Sequence, residues 1–192
     1  MCGDPADTVP RQHSNKRLPA EVNELNRQVD NRVSYTPPGD EVLSETQVEQ
    51  FFRVQDTIRD DLSGRYDELV GKYQQLEAEL ESAQREPSLR ELIGAWNDIA
   101  SLVVDAKQAQ VAALNQANLS LSEYDWIRLQ VYRALGYQGL SIGLTELAQN
   151  TDNERAITDF TDLAPPPDVN LERVAPYRER FEDYVALALF GL

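Results

Sequence analysis

The sequence predicts an all-α fold: an up-down helical bundle built on a long antiparallel coiled-coil-like hairpin, with shorter third and fourth helices. Three observations carry this. Apolar residues recur at steps of three and four from Leu43 to Ala83. The same spacing recurs from Leu89 to Ala117. Only a few residues around Pro87 separate the two stretches, so the helices must be antiparallel neighbours.

The first long helix has a marked start. Ser44 stands at an N-cap position with Gln47 three residues on, the spacing of a capping box. Leu43 and Val48 flank it as a hydrophobic staple. Glu45 and Glu49 sit at the positive end of the helix dipole. One face then reads Val48, Phe51, Gln55, Ile58, Leu62, Tyr66, Leu69, Tyr73, Leu76, Leu80, Ala83, with a stutter at Leu62. At ~1.5 Å per residue the helix runs about 60 Å, too long to stand in water with its stripe uncovered.

The second helix supplies the cover. Leu89, Leu92, Trp96, Ile99, Val103, Ala106, Gln110, Ala113 and Ala117 alternate steps of three and four without a break. The register predicts Trp96 beside Leu76 and Tyr73, Leu69 beside Val103, and Gln110 beside Leu62 and Tyr66. Thirteen acidic and five basic residues lie between Asp40 and Glu86, against three and two between Pro87 and Leu119. So few charges place the second helix centrally, with the acidic helix outside.

Shorter elements surround this hairpin, about 43–118. Residues 1–20 have no apolar period and read as a flexible leader, with one helical domain over 21–192. Pro19 opens a short segment in which Val22, Leu25, Val29 and Val33 share a face. Thr36-Pro37-Pro38-Gly39-Asp40 ends it. Ser122 with Asp125 caps a third helix, whose apolar face is Trp126, Ile127, Gln130, Val131, Ala134 and Leu135. Either Gly136 stops it, with Tyr137 as hydrophobic partner, and a helix resumes near Leu140, or it continues with a small-residue face against a neighbour; three glycines in eight residues favour the stop. Asn150 to Asp162 lacks the spaced ligands of a calcium loop and reads as solvated. After the extended Pro165-Pro166-Pro167, Asn170 caps a last helix with Leu171, Val174, Phe181, Val185 and Ala188 inward. Pro176 kinks that helix or marks its true start.

Composition excludes several functions. The 192 residues are enough for one domain with a core, and 41% are hydrophobic. The net charge of −15 leaves no basic face for nucleic acid or for an anionic membrane surface. No apolar run is long enough to span a bilayer. The only His, His13, lies in the leader, which removes Ser-His-Asp, Cys-His and Glu-x-x-His di-iron arrangements. There is no Walker loop, and Gly136-Tyr137-Gln138-Gly139 is no dinucleotide fingerprint. Neither catalytic residues, a cofactor nor a metal site is expected.

The one Cys, Cys2, is followed by Gly3 and a polar stretch. Here the chain resembles the mature N-terminus of a bacterial lipoprotein. That resemblance implies a lipid on Cys2 and, with Gly3 next, an address on the periplasmic face of the outer membrane. Met1 then stands in place of the signal peptide, which in that family is cut just before the Cys. Without the lipid the expectation is a soluble cytoplasmic protein.

Two sets of residues invite function. Gln55, Gln110 and Gln130 are polar residues at core positions, read as a buried polar layer that fixes register. Leu80, Ala83, Leu89 and Leu92 form the tip of the hairpin, beyond the reach of the short helices, and are expected to stay open for a partner. The leading function is a non-catalytic, envelope-tethered interaction or scaffold module that meets another envelope protein or a second copy. A bundle enclosing a small apolar ligand is the alternative, and an enzyme with a carboxylate-only site comes third.

Overall fold

A computed structural model of the chain describes residues 17–137, 165–188 and 192. Among the described residues the fold is all-helical, and its two longest helices pack on each other. The expected helical hairpin is there. Cys2, His13, the acidic stretch 150–162 and the expected helix near Leu140 lie outside the described residues.

Local chemistry sets both ends of the hairpin. Helix α2 is Glu45–Ala83. Ser44 Oγ accepts from the Gln47 amide at 3.1 Å, and Gln47 Oε1 accepts from the Ser44 amide at 3.0 Å. This is the predicted capping box. At the far end Gln84 takes a left-handed conformation, φ 50°. The Arg85 amide then reaches back to the Leu80 carbonyl, which gives orphan carbonyls a partner. Helix α3 is Leu89–Ala117 and has a capping box of its own, Ser88 with Glu91. Arg85 binds the Glu91 carboxylate in a fork, at 2.8 and 2.9 Å. Those two nitrogens, with the Ser88 donors, hold the Glu91 carboxyl well below the usual carboxylate range. Asn118, φ 53°, ends α3 in the same way.

Around this base the short elements dock. Helix α1, Arg17–Asn26, begins before Pro19 and packs on α3. Val22, Leu25 and Val29 are buried as expected, but Val33 is exposed. Asn115 ties the following segment to α3. It accepts from the Asp30 amide at 2.8 Å and donates to the Gln28 carbonyl at 3.1 Å. Helix α4, Leu121–Leu135, is capped by Ser120 rather than Ser122. Ser122 instead accepts from the Tyr35 amide at 3.0 Å. Gly136, φ 86°, stops α4 where the sequence placed the stop, and Tyr137 packs on Phe181 at 5.1 Å.

The C-terminal segment closes the base. Helix α5 is Asp168–Val174 with Pro167 at its N-cap, three residues before the expected cap. Asn170 is not a cap. It is fully buried, accepts from the Leu43 amide at 2.8 Å and donates to the Glu41 carbonyl at 2.9 Å. Pro176 breaks the helix into a 3₁₀ turn, Ala175–Tyr177, as its missing N–H and fixed φ require. Further short turns run to Ala188. Val174, Phe181 and Ala188 point inward, whereas Leu171 is exposed. Tyr184 donates to Asp56, and Arg180 pairs with the same carboxylate.

The core sits in this base and is largely aromatic. Phe51 stacks on Tyr124 at 5.8 Å and meets Phe52 and Tyr132 edge-on at 5.1 and 6.1 Å. Phe181 caps Tyr132 at 5.2 Å, and Tyr177 lies flat on Phe52 at 4.3 Å. Burial on α2 stops at Leu62, where the sequence places its stutter. On α3 it begins at Leu102. The central position expected for α3 therefore holds for its C-terminal half alone.

Asn170→Ala leaves the Leu43 amide and the Glu41 carbonyl without their partner. The expected loss is about 2–4 kcal/mol of unfolding stability, measured as a lower urea midpoint. Asn170→Asp keeps the acceptor for Leu43 but sets a second oxygen against the buried Glu41 carbonyl, and should lose at least as much. Unchanged midpoints would show that the stitch is dispensable.

Candidate functional site

Beyond Leu62 and Leu102 the molecule is a two-helix rod about 30 Å long. Ion pairs cross it where the sequence placed an apolar seam on α3. Asp98 of α3 pairs with Lys72 and accepts from the Tyr73 hydroxyl at 2.9 Å. Arg65 pairs with Asp105 and donates to Ser101 at 3.2 Å. Both contacts with Asp98 hold its carboxyl below the usual range, the Lys72 ammonium most strongly. The antiparallel register is thus near the predicted one, but α3 is rotated within it. Small and polar positions, Glu91, Gly94, Ala95 and Asp98, face α2. The apolar line Leu89, Leu92, Trp96, Ile99 turns outward.

Exposure makes the point. Leu89 is 73% exposed, Leu92 54% and Trp96 50%. Ile93 and Ile99 are also exposed, as are Tyr66 and Val70 on α2. Trp96 therefore does not seal the hairpin against Tyr73 and Leu76, which corrects the expected burial. Of the four expected tip residues, Leu89, Leu92 and Ala83 are exposed and Leu80 is half-buried. Ile93, Trp96, Ile99, Tyr66 and Val70 join them, although the sequence reading left them out. The signal was present at Leu92-Ile93-Gly94-Ala95, where the small pair suits a close helix contact and the large pair does not.

The exposed apolar residues of α3 follow one helical line, Leu89, Leu92, Trp96 and Ile99, with Ile93 beside it, and Tyr66 and Val70 are exposed on α2. Gln55 on α2 and Gln110 on α3 lie on the same two seam lines nearer the base, and Tyr124 of α4 sits over both. Running outward, those lines become Tyr66 on α2 and Ile99, Trp96 and Leu92 on α3. At the far end an open cleft is lined by Tyr73, Leu76 and Leu80, with Glu77 and Glu81 at its edge.

The polar layer divides in two. Gln55 Nε2 donates to the Tyr124 hydroxyl at 2.7 Å. Gln110 stands beside that hydroxyl, with its amide atoms buried and lacking a well-aligned partner. Gln130 is buried but separate. Its Oε1 accepts from Arg133 at 3.1 Å, and Arg133 also reaches Glu41 at 3.1 Å. All three glutamines are interior, so the expected burial holds, but they do not form one layer. Among the described residues no group of three His, Cys, Asp or Glu side chains is placed to hold a metal ion. Nor is any helix there long and apolar enough to cross a membrane.

Burial pushes the Tyr124 hydroxyl up to about 12 and the Tyr132 hydroxyl higher still, from an ordinary value of 10.0. The folded state keeps these protons at a pH where the unfolded chain has lost them. Stability is therefore intact below pH 10.0 and falls as the pH climbs towards 12, by roughly 1 kcal/mol per unit for each tyrosine. Melting temperatures taken with tyrosinate absorbance check this. A flat profile to pH 11 would mean that water reaches the hydroxyls.

No protein-family model, curated protein or solved structure matches this chain.

Proposed function

We propose that this chain is a non-catalytic helical interaction module whose docking surface is the hairpin tip. The exposed stripe of Leu89, Leu92 and Trp96 carries this reading. Soluble proteins seldom leave a continuous apolar line on a helix unless something covers it. The base supports the same division of labour. Three of the described clefts lie along the rod, and a fourth lies at the base between the start of α2 and Tyr177; all four are open to solvent. That arrangement suits a surface partner better than an enclosed apolar ligand.

A lipid on Cys2 would hold the module at the periplasmic face of the outer membrane. The Cys2-Gly3 pair and the polar stretch after it are the support for this tether. Another envelope protein is then the natural partner.

Two experiments separate surface from address. Leu89→Glu with Leu92→Glu should abolish cross-links formed from a photoreactive residue at Ile93 in the source cells. The helical signal and melting temperature of the base should not change. Unfolding of the whole protein by these charges, or full amide protection of residues 76–95 in the isolated monomer, would overturn the surface. Expressed with its native leader in a Gram-negative host, the protein should gain acyl mass at Cys2 and sediment with membranes. Cys2→Ser should release it, and unchanged fractionation would sink the tether.

A further inference from the structure

Resting on that reading of the tip, we propose that its occupant is a cationic amphipathic helix from another protein, which completes the rod as a three-helix bundle. The shape of the surface calls for a helix. The line from Leu89 to Ile99 and the parallel line from Tyr66 to Leu80 span about 15–20 Å, the length of some three to four helical turns. Two antiparallel helices with apolar flanks on one side form a groove that takes an i, i+3, i+4, i+7 face.

The charge around the groove selects the partner. Between Asp60 and Glu86 the chain carries eight acids and three bases. Arg65 and Lys72 pair with acids of α3 across the hairpin, and Arg85 is held by Glu91. That leaves the α2 edge of the groove acidic. Asp67 lies next to Tyr66, Glu77 lies three turns beyond Tyr66, and Glu81 lies one turn further. The α3 edge adds little negative charge: Glu91 is bound by Arg85, Asp98 is bound by Lys72, and Arg90 is the base on that stretch. The partner helix should therefore carry Lys or Arg along one edge and lay that edge over α2.

The same charges disfavour the nearer occupants. A second copy would bring one acidic edge against another. Residues 138–164 of this chain hold five acids and one base, a poor match for the same edge. Residues 1–16 have two acids, two bases and almost no apolar side chains.

Three synthetic helices of about sixteen residues test the proposal. The first has leucines at i, i+3, i+7 and i+10 with lysines along one edge. The second is identical with glutamates at the edge. The third is the lysine peptide with its order scrambled, which controls for attraction to any acidic protein. Binding is read by Trp96 fluorescence and by amide protection over residues 76–99 of the full chain. The lysine helix should protect this stretch, and the scrambled peptide should not. The glutamate helix should bind at least about tenfold more weakly, as expected for a few edge ion pairs of modest worth each. Glu77→Lys with Glu81→Lys, both at exposed positions, should reverse that preference while circular dichroism stays unchanged. Equal protection by the lysine and glutamate helices would overturn the cationic partner and leave the docking surface standing. Protection of the stripe in the free chain, or in a concentration-dependent oligomer that excludes the peptides, would overturn the proposal in favour of the chain itself or a second copy. Protection by the scrambled peptide would reduce it to charge attraction alone.

Discussion

A mismatch of helix length governs this molecule. Helices α2 and α3 run for 39 and 29 residues, whereas α4 has 15 and α1 has 10. The short helices can shield one end of the hairpin and no more. Tyr124 meets Gln55, Tyr132 meets Phe51, and Arg133 meets Glu41, so α4 stays at the base throughout its length. Two regimes of stability result. In the base each buried aromatic or aliphatic side chain contributes about 2–3 kcal/mol. In the rod the helices are held by caps and surface ion pairs, each worth about 1 kcal/mol or less. Rotation of α3 follows. With too little apolar cover available to seal the rod, charged and small residues take the inner face, and the large apolar ones are left on the outer flank.

Much of the fold was legible because capping and periodicity are local signals. The Ser44 box, the stop at Gly136 and the break at Pro176 each depend on a few neighbouring residues, and each stands where the sequence put it. The rotation was not legible. A heptad line states that a face is apolar but does not say which neighbour it meets. Leu89, Leu92, Trp96 and Ile99 carry the same pattern whether they close on α2 or turn aside. Asn170 failed for a related reason. An amide suits a helix cap and also suits a buried bridge between strands of backbone, and only the arrival of Leu43 decides between them. Ser120 and Ser122 pose the same ambiguity two residues apart.

The candidate surface was half legible. Chain length alone showed that the tip would outrun its cover, which named Leu80, Ala83, Leu89 and Leu92. The wider stripe depends on the rotation and so stayed hidden. Tyr124, Tyr132 and Tyr184 were missed as core because a phenol reads as amphipathic. Each spends its hydroxyl on an interior partner: Gln55, the Leu192 carbonyl and Asp56 respectively. Such a hydroxyl binds only one arrangement of its neighbours well, so these side chains specify the base as well as fill it.

The bridge from Asn170 to Leu43 has a consequence for how the protein is made. The hairpin is complete once residue 117 has left the ribosome, and its two helices can then pack on each other. Its base cannot close until residues 168–192 follow. Until then the Leu43 amide has no acceptor, Tyr132 lacks both its carbonyl and the Phe181 ring, and Phe52 lacks Tyr177. A nascent chain therefore shows its greasiest surface at the base, the end opposite to the one the finished molecule exposes. The surface most in need of shielding during synthesis and the surface proposed for docking thus lie at opposite ends of the same hairpin.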